Sequence, residues 1–433
     1  MADPVTTAPE ELRSAEGPPQ PERALALLRR RDFRRTFLAV GASELGDAFQ
    51  YIALMWFALV AGGPLGVLAV RLADSVPALI FGLHGGLVAD RWDRRRVLVT
   101  ADLLRGAVLV PIAVAGLLGD LPLWGLVLAA FALTAATSYF EPAYGALLPA
   151  LVERRNVQQA NGLVRATAQA VSVTGWALAG GLLAVLPISA FFALNAGSFL
   201  VSAALLSTVA RHAPRRALSE TGLPELAAGL AALRPRRALA AAVAALGLAV
   251  TVSAGTRIVG VPELVRVSLD RGAGGFSLLM SGYAAGAITA GVVLARRPIR
   301  RKALASTLAW VFYLPAYLVL GFAGSLAVAF AGAFLAALGQ GSAVILVNAA
   351  AQEEVPDRVL GRVMALISLV HRGAHASGLL LVAPLFAVVA PSAVFVGAAG
   401  VLTAIGTAGG AYALAATRGA GAPAPASSRT LRS

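Results

Sequence analysis

The chain has 433 residues, of which 58% are hydrophobic and only 13% charged, with a mean hydropathy of +0.77. That balance excludes an ordinary soluble globule of this length, which needs a far larger charged surface, and points to a chain embedded in lipid. The formal net charge of +14 would suit nucleic acid, but the basic residues sit at the ends of apolar runs, as topology signals do, so no nucleic-acid partner is expected.

In chain order, residues 1–35 read as a cytoplasmic tail, rich in Pro, Glu and Arg and without the apolar core of a signal peptide. It ends in Arg29, Arg30, Arg31, Arg34 and Arg35. Apolar runs follow at 36–61, 66–88, 97–119, 122–150, 160–185 and 188–209, giving a first bundle over 36–210. Each run has the roughly 20 residues that a helix needs to cross about 30 Å of hydrocarbon. Their continuity, without strand-like alternation, argues against a β-barrel. The polar stretch 211–237 reads as a cytoplasmic linker. Its Leu223, Leu226, Leu230 and Leu233 recur at helical spacing beside Arg234, Arg236 and Arg237, which fits either an amphipathic helix on the inner membrane surface or a plain inter-domain tether. A second set of runs lies at 238–262, 274–295, 303–323, 325–349, 363–388 and 392–416, giving a second bundle over 238–416. Residues 417–433 are rich in Ala, Pro and Ser and read as a disordered cytoplasmic tail.

The fold class expected is therefore an all-α membrane protein with twelve transmembrane helices in two six-helix bundles. With the N-terminus inside, the inner segments carry 29 basic residues and the outer loops two, Arg266 and Arg271. That asymmetry predicts a multi-pass protein of the cytoplasmic membrane with both termini cytoplasmic. Val152–Leu163 and Val355–Leu366 align at a constant offset of 203 residues, each after the fourth helix of its half, which suggests a duplicated unit.

Several chemistries are absent. Cysteine is missing, so no disulfide or thiolate metal site is available. Lys302 is the only lysine and no glycine precedes it, which removes the G-K-[ST] phosphate loop of an ATP-driven motor. No metal, no cofactor and no enzymatic activity are expected.

After the second run comes Gly86-Leu87-Val88-Ala89-Asp90-Arg91-Trp92-Asp93-Arg94-Arg95-Arg96. It is similar to the inner-loop motif of the major facilitator superfamily, G-x-L-A-D-R-x-G-R-R, with Val88 at the leucine and Asp93 at the second glycine. Gly86 would allow close helix approach, Asp90 would pair with a cation or helix N-terminus, and Arg91, Arg94 and Arg95 would hold the loop inside. Its counterpart, Gly291–Lys302, keeps the basic residues but has Arg296 at the aspartate position. Phe33-Arg34-Arg35, Leu45-Gly46-Asp47, Asp102-Leu103-Leu104-Arg105 and Leu147-Leu148-Pro149-Ala150-Leu151-Val152 occur in order. They resemble the branch of macrolide-efflux proteins and the enterobactin exporter. The resemblance covers residues 33–416 and implies alternating-access export of a small lipophilic or amphiphilic molecule (drug, macrolide, siderophore or secondary metabolite), coupled to proton entry, by a monomer whose other partner is the bilayer. One departure is in helix five, where the antiporter element G-P-x-x-G-G corresponds to Gly175-Trp176-Ala177-Leu178-Ala179-Gly180, with Trp176 in place of proline. Uptake of a metabolite, or a non-transporting sensor or assembly protein built on the same fold, are the alternative readings.

Charged groups within spans are costly and mark candidate sites. By helix rise, Glu44 lies about 12 Å, Asp47 about 16 Å and Asp74 about 21 Å from the inner end of its run. Glu44 and Asp47 share a helix face, and two carboxylates in one cavity repel, which suits a proton carrier or a cationic ligand. Glu141 and Arg105 lie at similar depth, and structural pairing between them is the favoured reading. Arg71 and Arg257 fall near the outer interface, where snorkelling would accommodate both. His371, Arg372 and His375 form a polar patch in helix eleven, its histidines at i, i+4 on one face and suited to a proton relay. Gln340, Asn348 and Asn195 are candidates for lining the cavity.

Overall fold

The computed structural model describes residues 24–183, 185–210 and 223–419, and among these there are helices and no strands. The first run, Arg31–Arg91, is one helical stretch folded at Gly63, whose φ of 59° and ψ of −156° only glycine adopts readily, with Pro64 starting the next arm. We call the arms α1 (31–62) and α2 (64–91). Then come α3 (Arg94–Leu118), α4 (Leu123–Leu147), α5 (Val157–Leu182) and α6 (Ala190–Ser207). After the linker helix Leu223–Leu233 the second half runs through α7 (Arg237–Ser268), α8 (Ala273–Arg296), α9 (Lys302–Gly321), α10 (Leu326–Glu354), α11 (Asp357–Leu381) and α12 (Pro391–Gly419). Among the described residues ten stretches are long and apolar enough to cross a membrane, the first being Arg31–Gly82, which contains the fold at Gly63. Helix α5 is regular throughout but is too polar to count among them. Among the described residues, both aligned segments that suggested a duplication lead into corresponding helices, α5 and α11.

Within each half the packing partners correspond. Helix α3 packs on α4 and α6 as α9 packs on α10 and α12, and α8 lies along α10 as the first run lies along α4. Close approach is made by small residues: a Cβ at Gly85 would collide with the Ser138 carbonyl, and one at Gly282 would come within 2.9 Å of Phe330. Large apolar side chains, including Phe191, Phe192, Phe199, Trp310 and Phe395, fill the interior between helices.

One face carries the basic loops. Here arginines satisfy carbonyls left open at helix ends. Arg94, itself buried, donates to Ala146 O at 2.9 Å; Arg95 donates to Val209 O at 3.0 Å; Arg35 donates to Thr208 O at 2.6 Å. Asp93, at the motif's second-glycine position, accepts from Arg96 N and caps α3. Arg30 bridges to Glu153, which also meets Arg155. These guanidiniums beside Glu153 hold its carboxyl below the usual carboxylate range.

The linker differs from expectation. Its helix does form, but it packs along α11: a Cβ at Gly229 would lie 3.0 Å from the Arg362 carbonyl, and Leu233 is buried while Leu230 is exposed. Its apolar face is thus at least partly consumed by protein. Residues 211–222 and both expected tails, save for 24–35 and 417–419, lie outside the described residues.

Candidate functional site

The first half holds a polar cluster. Asp47 on α1 accepts from Asn195 Nδ2 at 3.0 Å, and the same amide reaches Gln50 Oε1 at 2.5 Å. Asn195 is fully buried on α6, and Ser198 donates to its Oδ1 at 2.8 Å, which fixes the amide's orientation. This contact requires Gly46, because a Cβ there would collide with Asn195 and Ser198. Asp47 lies deep among helices yet is open to solvent, as a cavity-lining residue is, and Glu44, one turn away, is partly open. Glu141 on α4 is also exposed and lies within electrostatic reach of both. Three carboxylates from α1 and α4 therefore lie within electrostatic reach of one another.

Arg105 does not pair with Glu141 as the depth comparison suggested. It lies 2.8 Å from Asp102, one turn back on α3, with both side chains buried, and Ser202 donates to the other Asp102 oxygen at 2.6 Å. The ion pair lacks the alignment of a hydrogen bond, so Arg105 Nη2 is close to its partner without donating well to it. Its guanidinium lies between Phe140, at 4.2 Å, and Phe199, at 4.6 Å, which take the place of the expected acid. Asp102, part of a quoted motif but not counted as a site residue, is the group that sequence spacing missed; its i, i+3 relation to Arg105 was the available signal.

Asp74 is likewise engaged, by Arg71 at 2.6 Å and Thr134 Oγ1 at 2.5 Å. Arg71 thus pairs inside the protein and does not snorkel. His84 on α2, also missed, lies 2.9 Å from the Tyr139 hydroxyl.

The second half has a different polar centre. Gln340 Oε1 on α10 accepts from Tyr283 on α8 at 3.0 Å and Tyr313 on α9 at 3.2 Å, and the two hydroxyls lie 3.0 Å apart. Thr256 on α7 meets the Tyr317 hydroxyl at 2.5 Å. Arg257 follows Thr256 on a π-helical turn, Thr256–Gly260, with its guanidinium 5.6 Å from the Tyr283 ring centre. This places Arg257 among tyrosines, not at a lipid interface. The His371 and His375 rings are 5.1 Å apart, and both lie within electrostatic reach of Arg257, whereas Arg372 is exposed. Asn348 spends its amide on its own helix, donating to Val344 O at 2.7 Å.

The halves meet toward the face opposite the basic loops. Ser277 at the start of α8 hydrogen-bonds the Trp176 carbonyl of α5, and a Cβ at Gly180 would lie 3.0 Å from Ser277 Oγ. Phe276 packs against Tyr51 and Trp56 of α1. The helix-five glycines therefore serve two contacts: Gly175 admits Ala48 of α1, and Gly180 admits α8. On the basic face Gly86 has open space around it, so the close approach expected there belongs to Gly85. Among the described residues no hydrogen bond or ion pair engages Asp90 or Arg91, whereas Arg94 and Arg95 cap helices within their own half. No group of His, Cys, Asp or Glu among the described residues is arranged to hold a metal.

Comparison with known proteins agrees with this architecture. An uncharacterized MFS-type transporter of Bacillus subtilis, YfiS, is 27% identical over 173 residues, 40% of either chain. Macrolide efflux protein A of Enterococcus faecalis is 25% identical over 176 residues, 40% of this chain and 54% of that one. The chain thus aligns with about half or less of the length of these relatives. Among solved structures, the nucleoside transporter NupG superposes with a TM-score of 0.70 at 11% identity, covering 88% of this chain and 99% of its own. A POT-family peptide transporter does so with a TM-score of 0.69 at 14% identity, over 92% and 99%. At such identities these two likenesses show the fold alone. The family model for transmembrane secretion effectors, MFS_3, matches residues 22–420, and the chain belongs to that family of MFS transporters.

Proposed function

We propose that the protein is a secondary active carrier that exports a small lipophilic or amphiphilic molecule in exchange for protons. Twelve crossings of the cytoplasmic membrane, with the basic face and both termini cytoplasmic, fit the charge asymmetry and the helix order. In that orientation the contacts between the halves lie on the outer side, as in a state open to the cytoplasm, and rocking of one half against the other would expose the cavity alternately. The observation that carries the reading is the coupled trio of Glu44, Asp47 and Glu141 inside the first half, with Asp47 and Glu141 exposed and Glu44 partly so. Carboxylates in such a position cannot all remain charged without a counter-ion, so proton or cation binding there is tied to the state of the cavity. The similarity to macrolide efflux protein A supports export over uptake.

The test uses the full chain in proteoliposomes under an imposed pH gradient, with a panel of fluorescent lipophilic cations, dansylated amino acids and a macrolide. Gradient-dependent flux of at least one compound is expected. Its absence across the panel, or flux indifferent to the gradient, would overturn the reading.

A further inference from the structure

Arg257 differs from Arg71 and Arg105, the two intramembrane arginines that pair with an acid on their own helix. Arg71 has Asp74 and Arg105 has Asp102, but among the described residues no acid pairs with Arg257 and no acceptor hydrogen-bonds it. The groups within its electrostatic reach are Tyr51, Tyr283, Tyr313 and Tyr317, together with His371 and His375. A guanidinium is always charged and presents five donors in a planar fork. Placed within a span it is costly, and one ring face at 5.6 Å offsets only part of that cost. Arg257 is half-buried, and none of its nitrogens is a fully buried atom without a partner.

The surroundings are built to hold it there. The π-helical turn Thr256–Gly260 carries one more residue than a regular turn, a distortion found mostly at functional sites. Tyr317 anchors that turn through Thr256, and Gln340 holds Tyr283 in place by accepting from its hydroxyl. The second half therefore presents a fixed, unmatched cation, while the carboxylates belong to the first half, on α1 and α4. A fork without an acid matches a planar two-oxygen anion supplied from outside.

We propose that Arg257, seated on Tyr283 and flanked by His371 and His375, binds the carboxylate of an amphiphilic substrate. The subsite deepens the carrier reading, since it assumes that the cavity receives a substrate.

Purified full-length protein in nanodiscs would be titrated with dansyl-phenylalanine and with its neutral amide, with empty nanodiscs as the blank. The wild type is expected to bind the carboxylate at least about tenfold more tightly than the amide. Arg257→Gln should bring that ratio to within about twofold of unity. Arg257→Lys, a point charge without the fork, should lose at least about threefold of the preference, and it serves as the folded comparison if Arg257→Gln does not elute as a single species. A wild type without carboxylate preference, an Arg257→Gln that keeps it, or an Arg257→Lys equal to wild type would each overturn the subsite. Carboxylate preference with no gradient-driven flux would sink the carrier reading and leave the subsite standing; flux without the preference would do the reverse.

Discussion

The two halves share a plan of helix packing but have opposite chemistry at their centres. In the first half, carboxylates face the cavity and the arginines behind them are matched: Arg105 by Asp102, Arg71 by Asp74. In the second, a tyrosine–glutamine network surrounds an unmatched Arg257. Two halves of like packing thus carry unlike walls, one bearing carboxylates and the other an unmatched cation. Symmetry of backbone did not bring symmetry of charge.

That contrast can be broken most directly at Asp47. Asp47→Asn keeps the shape and the neighbour Asn195 but removes the titration, so gradient-driven flux should fall by about tenfold or more while equilibrium binding of neutral compounds persists. Flux at the wild-type level would remove Asp47 from coupling and leave the first wall without a demonstrated role.

Packing around the two walls gives the next effects. Gly46→Val drives a side chain into Asn195 and Ser198 and should cost about 1–3 kcal/mol, read as a lower midpoint of thermal unfolding in detergent. Gly86→Val meets open space and should leave that midpoint unchanged. Equal losses for both would mean that the α1–α6 contact is not specially tight. In the second wall, Gln340→Leu strips the acceptor from Tyr283 and Tyr313 and should cost about 1–3 kcal/mol in the same assay, without altering the pH dependence of flux. A changed pH dependence would show that the second wall takes part in coupling.

The smallest effect belongs to the rim of the basic face, where Glu153 meets Arg30 and Arg155 in the first half and Lys302 meets Glu353 in the second. The carboxyl of Glu153 is held below its usual range, so its contribution is present at neutral pH and lost only as pH falls through that lowered value. Glu153→Gln should shift the unfolding midpoint at pH 7 by about one degree or less, and high salt should erase the shift. A larger shift would make the rim a structural clamp.

Much of the fold was readable in advance because it depends on properties that run along the chain. Apolar run length marks the helices, and the arginine clusters mark one face. Even there, the linker's leucines suggested a lipid-facing stripe, whereas Leu233 is covered by protein, because periodicity describes a face and not what covers it. The site was less legible for the same reason. Glu44, Asp47 and Glu141 could be picked out as charges within spans, but depth alone joined Arg105 to Glu141 when the nearer acid was one turn away on its own helix. Arg257 was placed at a lipid interface because its ring of tyrosines comes from α8 and α9 as well as α7. The rotation of one helix against another is set by packing, and a single sequence carries little direct record of it.

The bond from Ser277 to the Trp176 carbonyl has a mechanical consequence. Trp176 is interior to α5, so its carbonyl also faces the amide one helical turn ahead and is not orphaned when Ser277 leaves. The serine hydroxyl, for its part, can turn back to a carbonyl of its own helix, as Ser281 does to Ser277. Each side of the fastening is therefore self-sufficient once undone. Such a catch can be released and remade on every cycle without stranding a polar group in a dry interior.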